Sequence, residues 1–180
     1  MLAADSERSG ERAFPQPEVR ATDGLERALG IAYRYLNRRE RTEAEVRSRL
    51  GRAGIDSQDV EQAIATLLEH GYLDDARFVR LFVQDKRELE EWGSDRIRQA
   101  LLARGVDPDL VAEALSEQAT DQDGGTEIDR AVALLRRRFP SPTGDRRERE
   151  RALGVLLRKG YDVELALDAL AAHIRDRDET

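Results

Sequence analysis

One pattern occurs three times along the 180-residue chain, at intervals of about fifty residues. Its copies are VRSRLGRAGIDSQDVEQAI at 46–64, IRQALLARGVDPDLVAEAL at 97–115 and ALGVLLRKGYDVELALDAL at 152–170. In each copy a leucine lies four positions before a glycine, and an apolar residue and an aspartate follow that glycine. Self-similarity at this spacing predicts a series of like structural units. The glycines are Gly54, Gly105 and Gly160, and the aspartates are Asp56, Asp107 and Asp162.

The glycine and the aspartate of each copy predict the end of one helix and the start of the next. A helix ends readily on a residue that tolerates positive φ, and glycine does so without steric cost. An aspartate side chain accepts hydrogen bonds from the free N–H groups of a first helical turn. In the second copy Pro108 follows Asp107, and proline is favoured at the first helical position because its missing donor is not needed there.

A further helical stretch precedes each pair, so each unit is predicted to hold three helices. In the first unit Thr42 and Glu45 form a capping box that opens the second helix. The sequence therefore predicts an all-α fold with three tandem three-helix repeats in an elongated, curved arrangement. We expect a flexible tail at 1–24 and repeats at 25–70, 71–120 and 121–180. The first helices are marked by apolar faces at Leu25, Leu29, Ala32 and Leu36, at Phe78, Val79, Phe82 and Val83, and at Ile128, Ala131, Leu134 and Leu135.

Two adjacent carboxylates, Asp74 and Asp75, follow Gly71 at the junction of the first and second repeats. Paired acids can hold a divalent metal or share a proton, but they also stabilise the positive end of a helix dipole. No nucleophile, phosphate-cradling glycine loop or metal-ligand spacing accompanies them. We therefore interpret them as helix caps and predict neither enzymatic activity nor a metal or other cofactor.

Composition narrows the class of protein further. The absence of cysteine excludes disulfides and thiolate chemistry, which fits a reducing cytoplasm. No stretch reaches the roughly 18 apolar residues of a membrane span, and the N-terminus lacks a signal-peptide core. Net charge is −7, which argues against the whole molecule acting as a cationic partner of nucleic acid. Segment 71–118 is acidic, with 7 − 11 = −4, whereas both flanking segments carry dense arginine.

Two groups of arginines are candidate contact surfaces for phosphate or for acidic protein. Arg34, Arg38 and Arg41 would share a helical face if the first helix extends that far; the alternative is an ordinary solvated face paired with nearby glutamates. The second group flanks the FPSPTG segment and is the densest positive region of the chain. Arginine suits phosphate and carboxylate alike, although a GC-rich genome would also explain its excess over lysine. This group comprises Arg136, Arg137, Arg138, Arg146, Arg147, Arg149 and Arg151.

Three further side chains belong to residue types that often occur at functional sites. Trp92 is the only tryptophan and either packs over a joint between helices or stacks on a base. His70 ends a helix beside a glycine, where a cation meets the C-terminal dipole. His173 lies near the chain end. Two isolated histidines predict neither a metal site nor a catalytic dyad.

Taken in order, these motifs resemble those of the RecX family of bacterial regulatory proteins, over roughly residues 25–175. Family members show a YL-x-x-R segment that ends the first helix, followed by an acidic helix start, a G-x-[LI]-D-D-x-x-[FY] joint, and a glycine followed by arginine and isoleucine. The corresponding residues are Tyr35, Leu36 and Arg39, with Thr42 to Glu45 as the helix start, then Gly71, Leu73, Asp74, Asp75 and Phe78, and finally Gly93, Arg96 and Ile97.

The resemblance implies a monomeric cytoplasmic regulator, not an enzyme, that binds the RecA recombinase filament and restrains its ATPase, strand-exchange and coprotease activities. It also implies a position in the filament groove near bound DNA, so contact with single- or double-stranded DNA is part of the expectation. Two alternatives remain open. One is a helix-turn-helix or Myb-like DNA reader, which the acidic middle repeat disfavours; the other is a general helical interaction scaffold.

Overall fold

The computed structural model describes residues 17–117, 125–140 and 145–178 of the chain. These segments contain nine helices and no strand, which confirms the predicted all-α class. The helices are α1 (Pro17–Leu36), α2 (Glu43–Arg52), α3 (Ser57–Glu69), α4 (Asp75–Glu88), α5 (Ser94–Leu102), α6 (Pro108–Glu117), α7 (Glu127–Arg138), α8 (Arg146–Lys159) and α9 (Val163–Asp178).

The helices form three consecutive groups of three, which we call unit 1 (α1–α3), unit 2 (α4–α6) and unit 3 (α7–α9). Extensive helix packing occurs within these groups: α3 packs on α1 and α2, α6 on α4 and α5, and α9 on α7 and α8. Each unit has its own apolar core, which makes the arrangement serial. Fully buried members of the cores include Leu50 and Leu67 in unit 1, Val79, Ile97 and Leu101 in unit 2, and Leu134, Leu135 and Leu156 in unit 3.

The glycine and aspartate of each repeat form the local structures that the sequence predicts. Gly54, Gly105 and Gly160 adopt positive φ values of 70°, 77° and 85° within three residues of the ends of α2, α5 and α8. Each following aspartate then accepts hydrogen bonds from the first turn of the next helix. The distances are 2.9 Å from Gln58 N to Asp56, 2.8 Å from Asp109 N to Asp107 and 2.8 Å from Glu164 N to Asp162.

The start of α1 corrects one expectation. The helix begins at Pro17, where proline occupies the first helical position, so residues 17–24 are helical and not part of a flexible tail. Residues 1–16 lie outside the described chain. The repeat boundary predicted at 120/121 falls among residues 118–124, which also lie outside it, and stays a prediction. No helix among the described residues is long and apolar enough to span a bilayer.

Candidate functional site: two joints and a basic groove

The two aspartates that begin unit 2 cap different helices. Asp74 is the N-cap of α4, and its Oδ1 accepts from Arg77 N at 2.8 Å, as the sequence predicts. Asp75 is the first residue of α4, but its Oδ1 accepts from Glu43 N, in the first turn of α2, at 2.9 Å. Both carboxylates are therefore engaged by backbone donors, and one of them links unit 1 to unit 2.

We call the contact between units 1 and 2 joint 1. Thr42, the N-cap of α2, is fully buried; its hydroxyl donates to Arg104 O at 2.8 Å, near the end of α5, and accepts from Glu45 N at 3.2 Å. Burial is the main reason that the pKa of Asp75 is raised, and the charge of Glu43 adds to it. Joint 1 thus connects the N-terminus of α2 to unit 2 through side-chain oxygens.

Joint 2, between units 2 and 3, repeats this geometry with other groups. Glu127, the first residue of α7, accepts from Ser94 N at 2.7 Å and from Ser94 Oγ at 2.6 Å. Gly93 N donates to Lys159 O at 2.8 Å, and Asp95 N donates to Gly160 O at 3.1 Å. The N-terminus of α5 therefore meets the C-terminus of α8, where backbone donors and acceptors without helical partners satisfy one another.

Gly93 is required at joint 2 because another backbone passes close to it. A Cβ at this position would lie 2.3 Å from Gly160 O and 2.4 Å from Tyr161 N. Gly93 itself supplies no side-chain cap to α5. The missing side chain is what allows unit 3 to approach and provide the cap.

Trp92 belongs to joint 2, in agreement with the first of its two interpretations. Its ring packs against the core of unit 2, with the guanidinium of Arg96 at 4.1 Å and the ammonium of Lys86 at 4.9 Å from its centroid. Arg96 also donates to Arg158 O at 2.9 Å, in unit 3. The tryptophan is therefore a neighbour of the inter-unit contact.

The predicted stripe of Arg34, Arg38 and Arg41 does not form on one helix. α1 ends at Leu36, so only Arg34 is helical. Arg41 stacks on the ring of Tyr35, 4.0 Å from its centroid, and is largely buried. Its role here is structural, and Arg38 lies exposed in the loop.

The predicted arginines of unit 3 are distributed over several faces. Arg137 pairs with Glu91, Arg146 pairs with Glu150 at 2.8 Å, and Arg149 lines a separate small pocket against α9. Arg136 is exposed in the last turn of α7. The remaining predicted residues, Arg138, Arg147 and Arg151, line the surfaces described next.

A shallow basic groove of about 650 Å³ runs along α8, lined by Arg147, Arg151 and Arg158 together with Asp145 and Glu150. At 3.6 residues per turn the three arginines share one face of the helix. Next to it lies a smaller cleft of about 120 Å³, which we call the joint cleft. It is lined by Arg96, Arg138, Val155, Arg158 and Lys159, so Arg158 belongs to both surfaces.

Three of these cations, Arg96, Arg158 and Lys159, were not among the predicted site residues. The helical spacing of Arg147, Arg151 and Arg158 could have indicated the groove. Nothing local indicates that Arg96 of unit 2 joins them, because its position depends on joint 2.

Among the described residues no group of three or more potential metal ligands occurs. His173 is buried, and its Nε2 lies 3.0 Å from Phe139 O.

Comparison with known protein families gives two matches. The family model of the first three-helix domain of RecX matches residues 28–67, and that of the second three-helix domain matches residues 74–115. These segments fall within units 1 and 2.

Similar full-length proteins extend the match to unit 3. The regulatory protein RecX of Leptothrix cholodnii is 37% identical over 84% of this chain and 93% of the relative. That of Trichlorobacter lovleyi is 34% identical over 74% of this chain and 87% of the relative. The crystal structure of RecX from Lactobacillus salivarius superposes with a TM-score of 0.71 at 22% identity, covering 88% of this chain and 99% of that one, which shows the shared fold.

Proposed function

Because this chain belongs to the RecX family of regulatory proteins, we propose that it binds the RecA recombinase filament and lowers its DNA-dependent activities. Those activities are ATP hydrolysis, strand exchange and coprotease function. The protein acts as a cytoplasmic monomer and catalyses no reaction of its own. It therefore works by occupying a surface of the filament.

The observation that carries the proposal is the match to regulatory relatives along most of the chain. The serial architecture supports it, because a chain of similar units presents an extended surface that can touch successive protomers of a helical polymer. Asp74 and Asp75, the pair considered as a reaction centre, are both occupied by backbone N–H groups. Aspartates bonded in this way stabilise helix ends, which is a structural role that a binding protein also needs.

The basic groove on α8 is the surface that we assign to the contact with the filament or its DNA. Three arginines, Arg147, Arg151 and Arg158, outnumber the two carboxylates in its lining, so the groove is positive in a chain whose net charge is −7. Arginine forks bind carboxylate and phosphate in two-point geometry. If DNA is the partner, each phosphate contact contributes about −0.7 to the logarithmic salt slope of single-strand binding.

The test is the rate of DNA-stimulated ATP hydrolysis by RecA from the same organism, measured with increasing amounts of this protein. Wild type should lower the rate progressively. Arg147→Glu/Arg151→Glu should require at least about tenfold more protein for the same inhibition, because it reverses two charges in the groove. A tenfold change in affinity corresponds to about 1.4 kcal/mol.

The matched control is Arg49→Glu/Arg52→Glu. It makes the same change of charge on α2 of unit 1, away from the groove lining. The control should inhibit as wild type does. A rate that stays constant at every concentration of wild type would remove the proposed function, and equal loss in both double variants would remove the groove as the contact surface.

A further inference from the structure

The joint cleft brings together cations from two units. Arg96 comes from α5 of unit 2, whereas Arg138, Arg158 and Lys159 come from α7 and α8 of unit 3. The cleft has a volume of about 120 Å³. Since one water molecule occupies about 30 Å³ in the liquid, this is room for a phosphate group together with water.

Neutral groups hold two of these cations in place. The Arg96 guanidinium donates to Arg158 O at 2.9 Å and lies over the Trp92 ring. Lys159 Nζ donates to Glu90 O at 2.5 Å. A backbone carbonyl positions a cation without neutralising it.

Carboxylates near the cleft compensate little of its charge. Within the described segments, Arg138 and Arg158 have no carboxylate partner. Glu91 is shared between Arg137 and Lys159, at 3.9 Å from the latter. Burial, followed by the charges of Arg138 and Arg96, lowers the pKa of Lys159 despite the opposing charge of Glu90. The cleft therefore carries an excess of positive charge that an anion would relieve.

We propose that the joint cleft is a phosphate-binding site, and that a phosphate group held there fastens unit 2 to unit 3. The ligand bridges Arg96 on one side of joint 2 and Arg138 and Arg158 on the other. Because it binds only when the two units are docked, its binding stabilises the docked arrangement. The site is defined by this chain alone and does not depend on the proposed RecA partner.

Trp92 provides the readout, since it is the only tryptophan and its ring touches Arg96. Its fluorescence is measured while the protein is titrated with inorganic phosphate and, separately, with a 20-nucleotide oligothymidylate. These two probes distinguish a free anion from the backbone of a strand. We expect a saturable change with at least one of them, accompanied by a rise in the thermal unfolding temperature.

Arg138→Gln/Arg158→Gln should weaken that binding at least about tenfold. With the oligonucleotide the salt slope should fall by about 0.7, which corresponds to one lost phosphate contact. The matched control is Arg49→Gln/Arg52→Gln on α2, which removes the same charge from unit 1 and should bind as wild type does. If the double variant does not fold, Arg138→Gln alone serves, because that side chain makes no hydrogen bond within the described residues.

Three results would overturn the proposal. One is the absence of a fluorescence change with either probe, and another is equal loss of binding in the cleft variant and the α2 control. The third is binding of a polyglutamate peptide, but of neither phosphate probe, with the same dependence on Arg138 and Arg158. None of these measurements contains RecA, so their failure leaves the proposed function to its own test.

Discussion

Joints 1 and 2 place the same parts of neighbouring units together but satisfy the helix ends differently. At joint 1 the N-terminus of α2 is largely capped by its own residues: Thr42 accepts from Glu45 N, and Glu45 accepts from Thr42 N at 3.2 Å. Among its backbone N–H groups only that of Glu43 is bonded across the joint, to Asp75, and the Thr42 hydroxyl donates to Arg104 O. Unit 1 therefore keeps most of its α2 cap without unit 2.

At joint 2 the first turn of α5 depends on the neighbouring unit. The N–H groups of Gly93, Ser94 and Asp95 all donate to unit 3, and no side chain caps α5 from within unit 2. An unpaired backbone donor costs free energy when it is shielded from water. A self-capped helix therefore gives a joint between two partly independent units at joint 1, whereas a helix capped by its neighbour couples units 2 and 3.

The largest effect should follow from closing the space at joint 2. Gly93→Ala places a Cβ within 2.4 Å of backbone atoms of unit 3, and backbone cannot move aside as a side chain can. We expect the free energy of unfolding, measured with urea, to fall by about 3 kcal/mol. The control Gly30→Ala, in open space on α1, should raise it by about 0.5–1 kcal/mol. A Gly93→Ala protein as stable as wild type would contradict the account of joint 2.

The next largest losses of stability should follow from removing the two carboxylates that bond across the joints, Glu127 and Asp75, and the two losses should differ in size. Glu127→Ala removes two charge-assisted hydrogen bonds and should cost about 2 kcal/mol, whereas Asp75→Ala removes one and should cost about 1 kcal/mol. Glu127→Gln retains one acceptor oxygen and should recover about half of the loss. Equal costs for the two alanine variants in urea denaturation would show that the joints do not differ as described.

Thr42→Ala tests the self-capped joint. The change removes an N-cap together with a buried hydroxyl that donates to Arg104 O, and we expect a loss of about 1.5 kcal/mol. Thr42→Ser keeps the hydroxyl and should recover most of it. Calorimetric unfolding of the three proteins makes the comparison, and a serine variant no more stable than the alanine variant would exclude the hydroxyl as the cause.

The smallest effect should come from the charge of Asp75. Burial raises its pKa in the folded protein, so the folded state binds more protons than the unfolded state over the pH range between the two pKa values. The stability due to its protonation is therefore present below the unfolded pKa of about 3.9 and is lost as pH rises through the folded pKa.

Asp75→Asn keeps an oxygen acceptor for Glu43 N and removes the titration. The stability of wild type relative to this variant should increase as pH falls from 7 to 4. The change should stay below about 1 kcal/mol, because Asp75 is only half-buried and solvent screens its charge. A relative stability that instead decreases on acidification would contradict the direction of the pKa shift.

Much of the fold follows from local rules that the sequence displays. Gly54, Gly105 and Gly160 end helices because positive φ favours glycine, and the following aspartates begin helices because they accept the first free N–H groups. The condition for a stripe of Arg34, Arg38 and Arg41, a first helix that extends that far, is not met, for a reason already present in the sequence. Thr42 opens α2, and a helix that restarts there requires an interruption just before it.

The candidate site depends on contacts between distant residues, which local rules cannot supply. Asp75 looks like a cap of its own helix, and its partner Glu43 lies 32 positions earlier. Gly93 looks like a simple helix breaker, yet its importance comes from Gly160 passing beside it. Arg96 joins the cations of unit 3 only because joint 2 brings the two units together.

Native-state hydrogen exchange tests most directly the claim that unit 3 caps α5. We expect the amide hydrogens of Gly93, Ser94 and Asp95 to exchange only when the docked pair of units opens, far more slowly than the amide of Ala44 at the start of α2. Gly93→Ala should accelerate all three. Exchange of these amides in wild type at the rate of a frayed helix end would contradict the claim.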